Sequence, residues 1–201
     1  MKILLTNDDG IESKITRALF DKLRENHDVS LIAPKKDKSG QGAAITLRTS
    51  VQIEKQDDNI YAVDGTPADC VFMGLMAIMK DIPDIIISGI NKGANMGDDV
   101  IHSGTLGAAF TGRKLKYPPI ATSISGRSFE HFESAVLATE LMLNYVSDNY
   151  LENEWEVLVR NLIEHKTLAI LNFGDLYVPN LWMPPLYAYF LFSISLPFPG
   201  S

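Results

Sequence analysis

Cysteine is almost missing from this chain. Cys70 stands alone, so no disulfide can form within it, and the pattern fits a reducing compartment. Positive charge is also scarce: 18 Lys and Arg face 25 Asp and Glu, a net charge of −7. A surface that grips nucleic acid by its phosphates needs the opposite balance, so no nucleic-acid partner is expected. A small phosphorylated ligand is compatible with this charge if a cation reverses the local field. Long apolar runs are lacking too. The longest candidate, 186–196, falls short of the roughly twenty residues that span a bilayer, and no membrane partner is expected. The apolar start, Ile3 to Leu5, is too short for a secretory signal and runs at once into acids, which predicts a cytoplasmic location. Charge itself is absent from Leu176 to Ser201, where half of the ten prolines and seven of the eighteen aromatics lie. Such a composition opposes long regular elements and predicts an arm that packs on the core or on a second subunit.

What is present is an alternation of strand and helix signals over most of the 201 residues, enough for one substantial core. Ile3 to Leu5 and Val29 to Ala33 read as short buried strands. Between them Ile11, Ile15, Ala18, Leu19 and Leu23 recur at helical spacing. Thr46–Glu54 and Ile60–Val63 alternate more and read as further strands. Thr66-Pro67-Ala68-Asp69 starts a helix with a cap, a proline in the first turn and an acid at the third position; the helix is expected to run to about Lys80. Asp84 to Ile90 is a β-branched central strand, followed by a glycine-rich loop from Asn91 to Gly104 and a helix from about Thr105 to Lys114. Ile120 to Ile124 makes another strand, and a helix of about twenty residues ends near Tyr150. The fold class expected is α/β, a Rossmann-like, mostly parallel sheet between helices. Residues 1–175 form the domain and 176–201 an irregular arm that is not a domain of its own.

In such a sheet the loops leaving the carboxyl ends of the strands converge. The first carries Asn7-Asp8-Asp9-Gly10, two adjacent carboxylates where strand gives way to helix. Like charges side by side in a concave edge are best tolerated when a hard cation neutralises both. Lys38–Gly42, Asp64–Asp69 and Asn91–Thr105 are the other candidate loops. Together they offer carboxylates, hydroxyls and amides without a Cys/His cluster, a set that suits Mg²⁺, Mn²⁺ or Ca²⁺ better than structural zinc. Asn91 and Asn95 read equally as metal ligands or as turn formers. His102 could shuttle a proton, although a lone loop histidine is more often incidental. Ser103-Gly104-Thr105 opens a helix and can act as an anion cradle or as a plain N-cap.

Read together, the loops resemble the SurE family of metal-dependent nucleotidases. The matching text is Asn7-Asp8-Asp9-Gly10, Pro34 with Ser39-Gly40, Asp64-Gly65-Thr66-Pro67-Ala68-Asp69, Ser88-Gly89-Ile90-Asn91, Gly97, and Ser103-Gly104-Thr105 with Gly107-Ala108-Ala109. The resemblance covers about residues 1 to 145. It implies that Asp8, Asp9, Ser39 and Asn95 bind one divalent metal ion per subunit. It further implies that Ser103, Gly104 and Thr105 hold the phosphate, with Asn91 and Gly40 nearby. The implied activity is metal-assisted hydrolysis of nucleoside 5′- and 3′-monophosphates, with Asp8, Asp9 and Asn95 as catalytic residues, in a homodimer or tetramer. Members of the family continue past the sheet with further strands and a hairpin exchanged between subunits. Here Leu168 to Asn172 could be their late strand, but the residues beyond it follow another pattern.

Two other classes use similar signals. A receiver-type signalling domain also places an acidic pair after its first strand, but it needs a phospho-acceptor aspartate where this chain has Ser88 and Asn91. A nucleotide-binding scaffold without turnover would keep every loop residue and release no phosphate.

Overall fold

A computed structural model describes residues 1–125, 129, 131–149 and 169–173. The arm expected over 176–201 lies outside the described residues. Among the described residues seven strands form one sheet: β1 (Lys2–Thr6), β2 (Asp28–Pro34), β3 (Ile53–Asp57), β4 (Ile60–Val63), β5 (Ile85–Lys92), β6 (Ile120–Ile124) and β7 (Ala169–Phe173). Their spatial order is β3-β4-β2-β1-β5-β6-β7, parallel throughout except for β3, which runs antiparallel to β4 at the edge. The helices are α1 (Lys14–Leu23), α2 (Pro67–Met73), α3 (Gly104–Thr111) and α4 (Glu133–Asn149). The chain moves from β1 outward to β2 on one side and later returns to β5 on the other. The topological switch point therefore lies between β1 and β5, where open α/β sheets open a crevice at their carboxyl edge.

Two-residue alternation decides which face each strand residue covers. Ile3 and Leu5 of β1, Leu31 of β2 and Ile85 and Ile87 of β5 pack with Ile15 and Leu19 of α1 and Val136 and Met142 of α4. Leu4, Ile32 and Ile86, one step along the same strands, pack with Cys70 and Val71 of α2 and Ala108 of α3. Both faces are covered, which is why these strands read as continuous apolar runs. α1 begins at Ser13, whose hydroxyl accepts from the Thr16 amide, and its buried stripe of Ile15, Leu19 and Leu23 repeats every four residues. Replacing fully buried Leu19 by Ala should cost about 2–5 kcal/mol of unfolding free energy. The same change at Leu137 of α4, 46% exposed, should stay within about 0.5 kcal/mol. Urea unfolding of the two variants checks the contrast.

Some boundaries move. The strand expected from Thr46 begins only at Ile53, because Thr46 is held elsewhere by hydrogen bonds to Asp69. The helix expected to reach Lys80 is α-helical only to Met73 and widens into a π-turn over Gly74–Ile78. A Cβ at Gly74 would lie 2.9 Å from Ile32 Cδ1, so the backbone there sits directly on the sheet. β5 runs on to Lys92, and Gly97–His102 forms a short 3₁₀ helix inside the region expected to be loop. α3 ends at Thr111 rather than Lys114. Cys70 is buried in α2, and burial pushes its thiol well above the usual range. Among the described residues no helix is long and apolar enough to cross a membrane.

Candidate active site

The two carboxylates after β1 stand at the switch point. Thr6 is register partner of Ser88 on β5, so the next residues of both strands open side by side. Asn7 closes the turn itself: its side chain donates to Gly10 O (2.9 Å) and Thr16 Oγ1 (2.8 Å) and accepts from Gly10 N (3.1 Å). Gly10 takes φ +96°, the positive value that its place in the turn demands.

Asp8 is buried and Asp9 half-buried. Thr105, in the first turn of α3, donates its hydroxyl to Asp8 Oδ1 at 2.9 Å. Asn95 Nδ2 donates to Ser123 Oγ of β6 (2.6 Å) and lies 3.5 Å from Thr105 Oγ1. A relay thus links Ser123 and Asn95 to Asp8 through Thr105, with all four residues buried. Asp9 Oδ2 accepts the backbone N–H of Lys92 at 3.2 Å, which ties it to the end of β5. Burial pushes the Asp8 carboxyl above its ordinary range; the Asp9 charge adds to this, and the hydrogen bonds from Thr105 only partly oppose it. Asp9 is likewise raised, first by burial and then by Asp37, against the Lys92 backbone N–H and charge. Two neighbouring carboxylates that both resist ionisation gain most from a cation.

The remaining candidates divide. The backbone N–H of Lys38 donates to Asp8 O at 2.8 Å, which brings the following Ser39 and Gly40 to the edge of the site, both exposed. Ser39 donates its own N–H to Asp37 Oδ1. Ser103 is buried as the cap of α3 and accepts from Leu106 N. Gly104 lies against Asp8: a Cβ there would sit 3.0 Å from both Cβ and Oδ2 of that aspartate. Asn91 is buried, but its amide donates to Gly93 O at 2.9 Å, which is the turn-forming use. His102 acts through its carbonyl, which accepts from Gly42 N, while its ring is exposed. Asp8, Asp9, Asn95, Gly104 and Thr105 therefore come together, with Ser39 and Gly40 adjoining. Asn91 and Ser103 serve the backbone beside them.

Ser123 is the residue that the sequence reading missed. Its signal is faint but present: Thr122-Ser123 interrupts an otherwise apolar strand at the carboxyl edge of the sheet. Among the described residues no three His, Cys, Asp or Glu gather as metal ligands. A cation here would rest on two carboxylates completed by neutral oxygens. Asn95 suits that role, since its amide nitrogen is engaged and its carbonyl oxygen is the atom left to bind.

Comparison with known proteins points to one family. The family model described as Survival protein SurE matches residues 3–180. The 5′-nucleotidase SurE of Legionella pneumophila (strain Corby) is 40% identical over 154 residues, covering 77% of this chain and 61% of that protein. The 5′/3′-nucleotidase SurE of Salmonella arizonae is 44% identical over 148 residues, covering 73% and 58%. The crystal structure of the SurE protein from Aquifex aeolicus superposes with a TM-score of 0.71 at 37% identity, covering 75% of this chain and 62% of that one. The chain spans about three fifths of the length of the curated relatives it matches.

Proposed function

Since the chain belongs to the survival protein SurE family, we propose that it hydrolyses nucleoside 5′- and 3′-monophosphates to nucleoside and phosphate with the help of one divalent metal ion. The observation that carries this reading is the adjacent Asp8–Asp9 pair at the switch point, one carboxylate held by Thr105 of α3 and the other by the end of β5. The donor set is all oxygen, which fits Mg²⁺ or Mn²⁺, with Ca²⁺ also accommodated. Asp8, Asp9, Ser39 and Asn95 would hold the ion. When bound, it polarises a phosphate oxygen and lowers the pKa of a water molecule.

The chain's own residues do the rest. The first turn of α3 presents its positive end toward the phosphate, and Gly104, lacking a side chain, lets the ester approach next to Asp8. Ser103 shapes that turn by capping it, and Thr105 aligns Asp8. Gly40 and Asn91 border the phosphate position. Water attacks phosphorus in line, a new P–O bond forms as the ester P–O bond breaks, and the nucleoside oxygen leaves with a proton. A covalent aspartyl-phosphate is disfavoured because Asp8 and Asp9 are neighbours rather than a spaced nucleophile and acid. The protein works in the cytoplasm as a homo-oligomer, a dimer or tetramer, on free nucleotides.

Phosphate release from a panel of nucleoside monophosphates tests this. Activity should appear with Mg²⁺ or Mn²⁺ and vanish with EDTA. Full activity in EDTA would remove the metal from the reading, and no release under any condition would remove the hydrolysis.

A further inference from the structure

The loop that carries Ser39 and Gly40 has little of its own to hold it. From Ser39 to Ile45 every residue but Gly42 is exposed, and no strand or helix forms. Its place is set by hydrogen bonds to other elements. Lys38 N donates to Asp8 O, and Gly42 N donates to His102 O at 2.9 Å, just before α3. At Gly107 of α3 the two backbones touch, and a Cβ there would collide with the Gly42 carbonyl. The far end is fixed by one carboxylate. Asp69, fully buried in the first turn of α2, accepts from Thr46 N at 2.8 Å and from Thr46 Oγ1 at 2.7 Å. It also accepts from Thr66 N at 2.9 Å, while the Thr66 hydroxyl donates to Ala44 O at 2.6 Å.

A capping box needs from its acid only one bond, the one to the cap residue's N–H. Asp69 makes that bond and two more, and both extra bonds reach Thr46, 23 residues away. A fully buried carboxylate is stable only when its oxygens are saturated by donors, and bonds to an ionised acceptor are about twice as strong as neutral ones. The acid is therefore more than a helix cap. We propose that Asp69 is a positioning residue, whose carboxylate fastens the 39–46 loop to the start of α2 and so sets where Ser39 and Gly40 stand beside Asp8. This deepens the nucleotidase reading and rests on it for the identity of the ligands, but the fastening can be tested without any turnover.

The test uses the full chain and three variants. Thr46→Val removes one bond from the loop side and leaves the cap of α2 intact; Thr46→Ser keeps the hydroxyl; Asp69→Ala removes the carboxylate. Amide hydrogen exchange across residues 39–47 should speed up about ten- to a hundredfold in Thr46→Val, the scale of one lost bond to a charged group, and at least as much in Asp69→Ala, which loses all three bonds, while β1 and β5 exchange as in the parent. The Mn²⁺ concentration for half-saturation, read from the paramagnetic resonance of free Mn²⁺, should rise in the same two variants. KM should follow it more than kcat, with Thr46→Ser restoring all three. Unchanged exchange in Thr46→Val would overturn the fastening. Faster exchange with unchanged Mn²⁺ binding and KM would overturn the positioning role. A parent chain that releases no phosphate would sink the nucleotidase reading alone, since exchange and Mn²⁺ binding still decide this one.

Discussion

Asp8→Asn should abolish metal-dependent phosphate release and yet, with EDTA present at neutral pH, leave the protein at least as stable as its parent. The two halves have one cause. Asp8 is a buried carboxylate beside a second acid, and burial raises its carboxyl above the ordinary range despite the bonds from Thr105. A group whose folded-state pKa lies above its unfolded value stabilises the fold fully below the unfolded pKa. That stability is lost as pH climbs through the raised folded value. Without metal, the parent chain should therefore weaken as pH rises from about 4. The asparagine variant, which carries no charge there, should not weaken through this residue. Added Mn²⁺ reverses the order. A ligand present at a hundred times its Kd stabilises by about 2.7 kcal/mol, which the parent gains and the variant forgoes. The loss of turnover should be on the order of a thousandfold, the scale on which a preorganised electrostatic group acts. Thermal melts with and without EDTA at pH 4 and 7, next to phosphate assays, read both halves. A variant that hydrolyses as fast as its parent, or one less stable than its parent in EDTA at pH 7, defeats the assignment.

Which features could be read in the sequence depends on how far each one's cause lies along the chain. β1 and β5 are legible because a strand buried on both faces carries an unbroken apolar run, Ile3 to Leu5 and Ile85 to Ile87 here, whatever its neighbours are. The start of α2 is equally local: Thr66, Pro67 and Asp69 write a cap, a first turn and a capping box within four residues, and all of it forms. The segment from Thr46 misleads because its alternation is genuine while its partner is remote. A single acid 23 residues away takes its backbone N–H and hydroxyl, and regular pairing starts only at Ile53. The π-turn after Met73 has a similar origin, since Gly74 answers to Leu4 and Ile32 on strands far off in sequence. Within the site, Asp8 and Asp9 declare themselves by adjacency after a strand. Asn91 and Asn95 look alike in sequence and part only in space, one turned to Gly93 O and the other to Ser123 and Thr105.

That difference gives Thr105 a role that its motif does not reveal. Ser-Gly-Thr at a helix start reads as a phosphate cradle or a cap, yet the threonine hydroxyl is directed at Asp8 and stands within reach of the Asn95 amide. It is buried completely, so its hydrogen bonds are exchanged with no water in the folded state. Thr105→Val keeps the shape and deletes the donor. Asp8 Oδ1 then loses its partner in a buried setting, which should cost about 1–3 kcal/mol of stability. The larger effect should fall on the metal. A residue that orients a ligand without touching the ion typically changes affinity about ten- to a hundredfold, so half-saturation by Mn²⁺ should shift by that much. Thr105→Ser, which restores the hydroxyl, should recover most of it. Ser123→Ala, one bond further along the relay, should shift binding less, because Asn95 keeps Thr105 within reach. If the valine variant binds Mn²⁺ as tightly as the parent while losing turnover, Thr105 acts on the phosphate instead of through Asp8. Should the serine variant fail as badly as the valine one, the methyl group matters more than the hydroxyl and the relay is a packing feature. Only graded loss along the series, Thr105→Val well beyond Ser123→Ala, fits a chain of hydrogen bonds that holds one carboxylate in place.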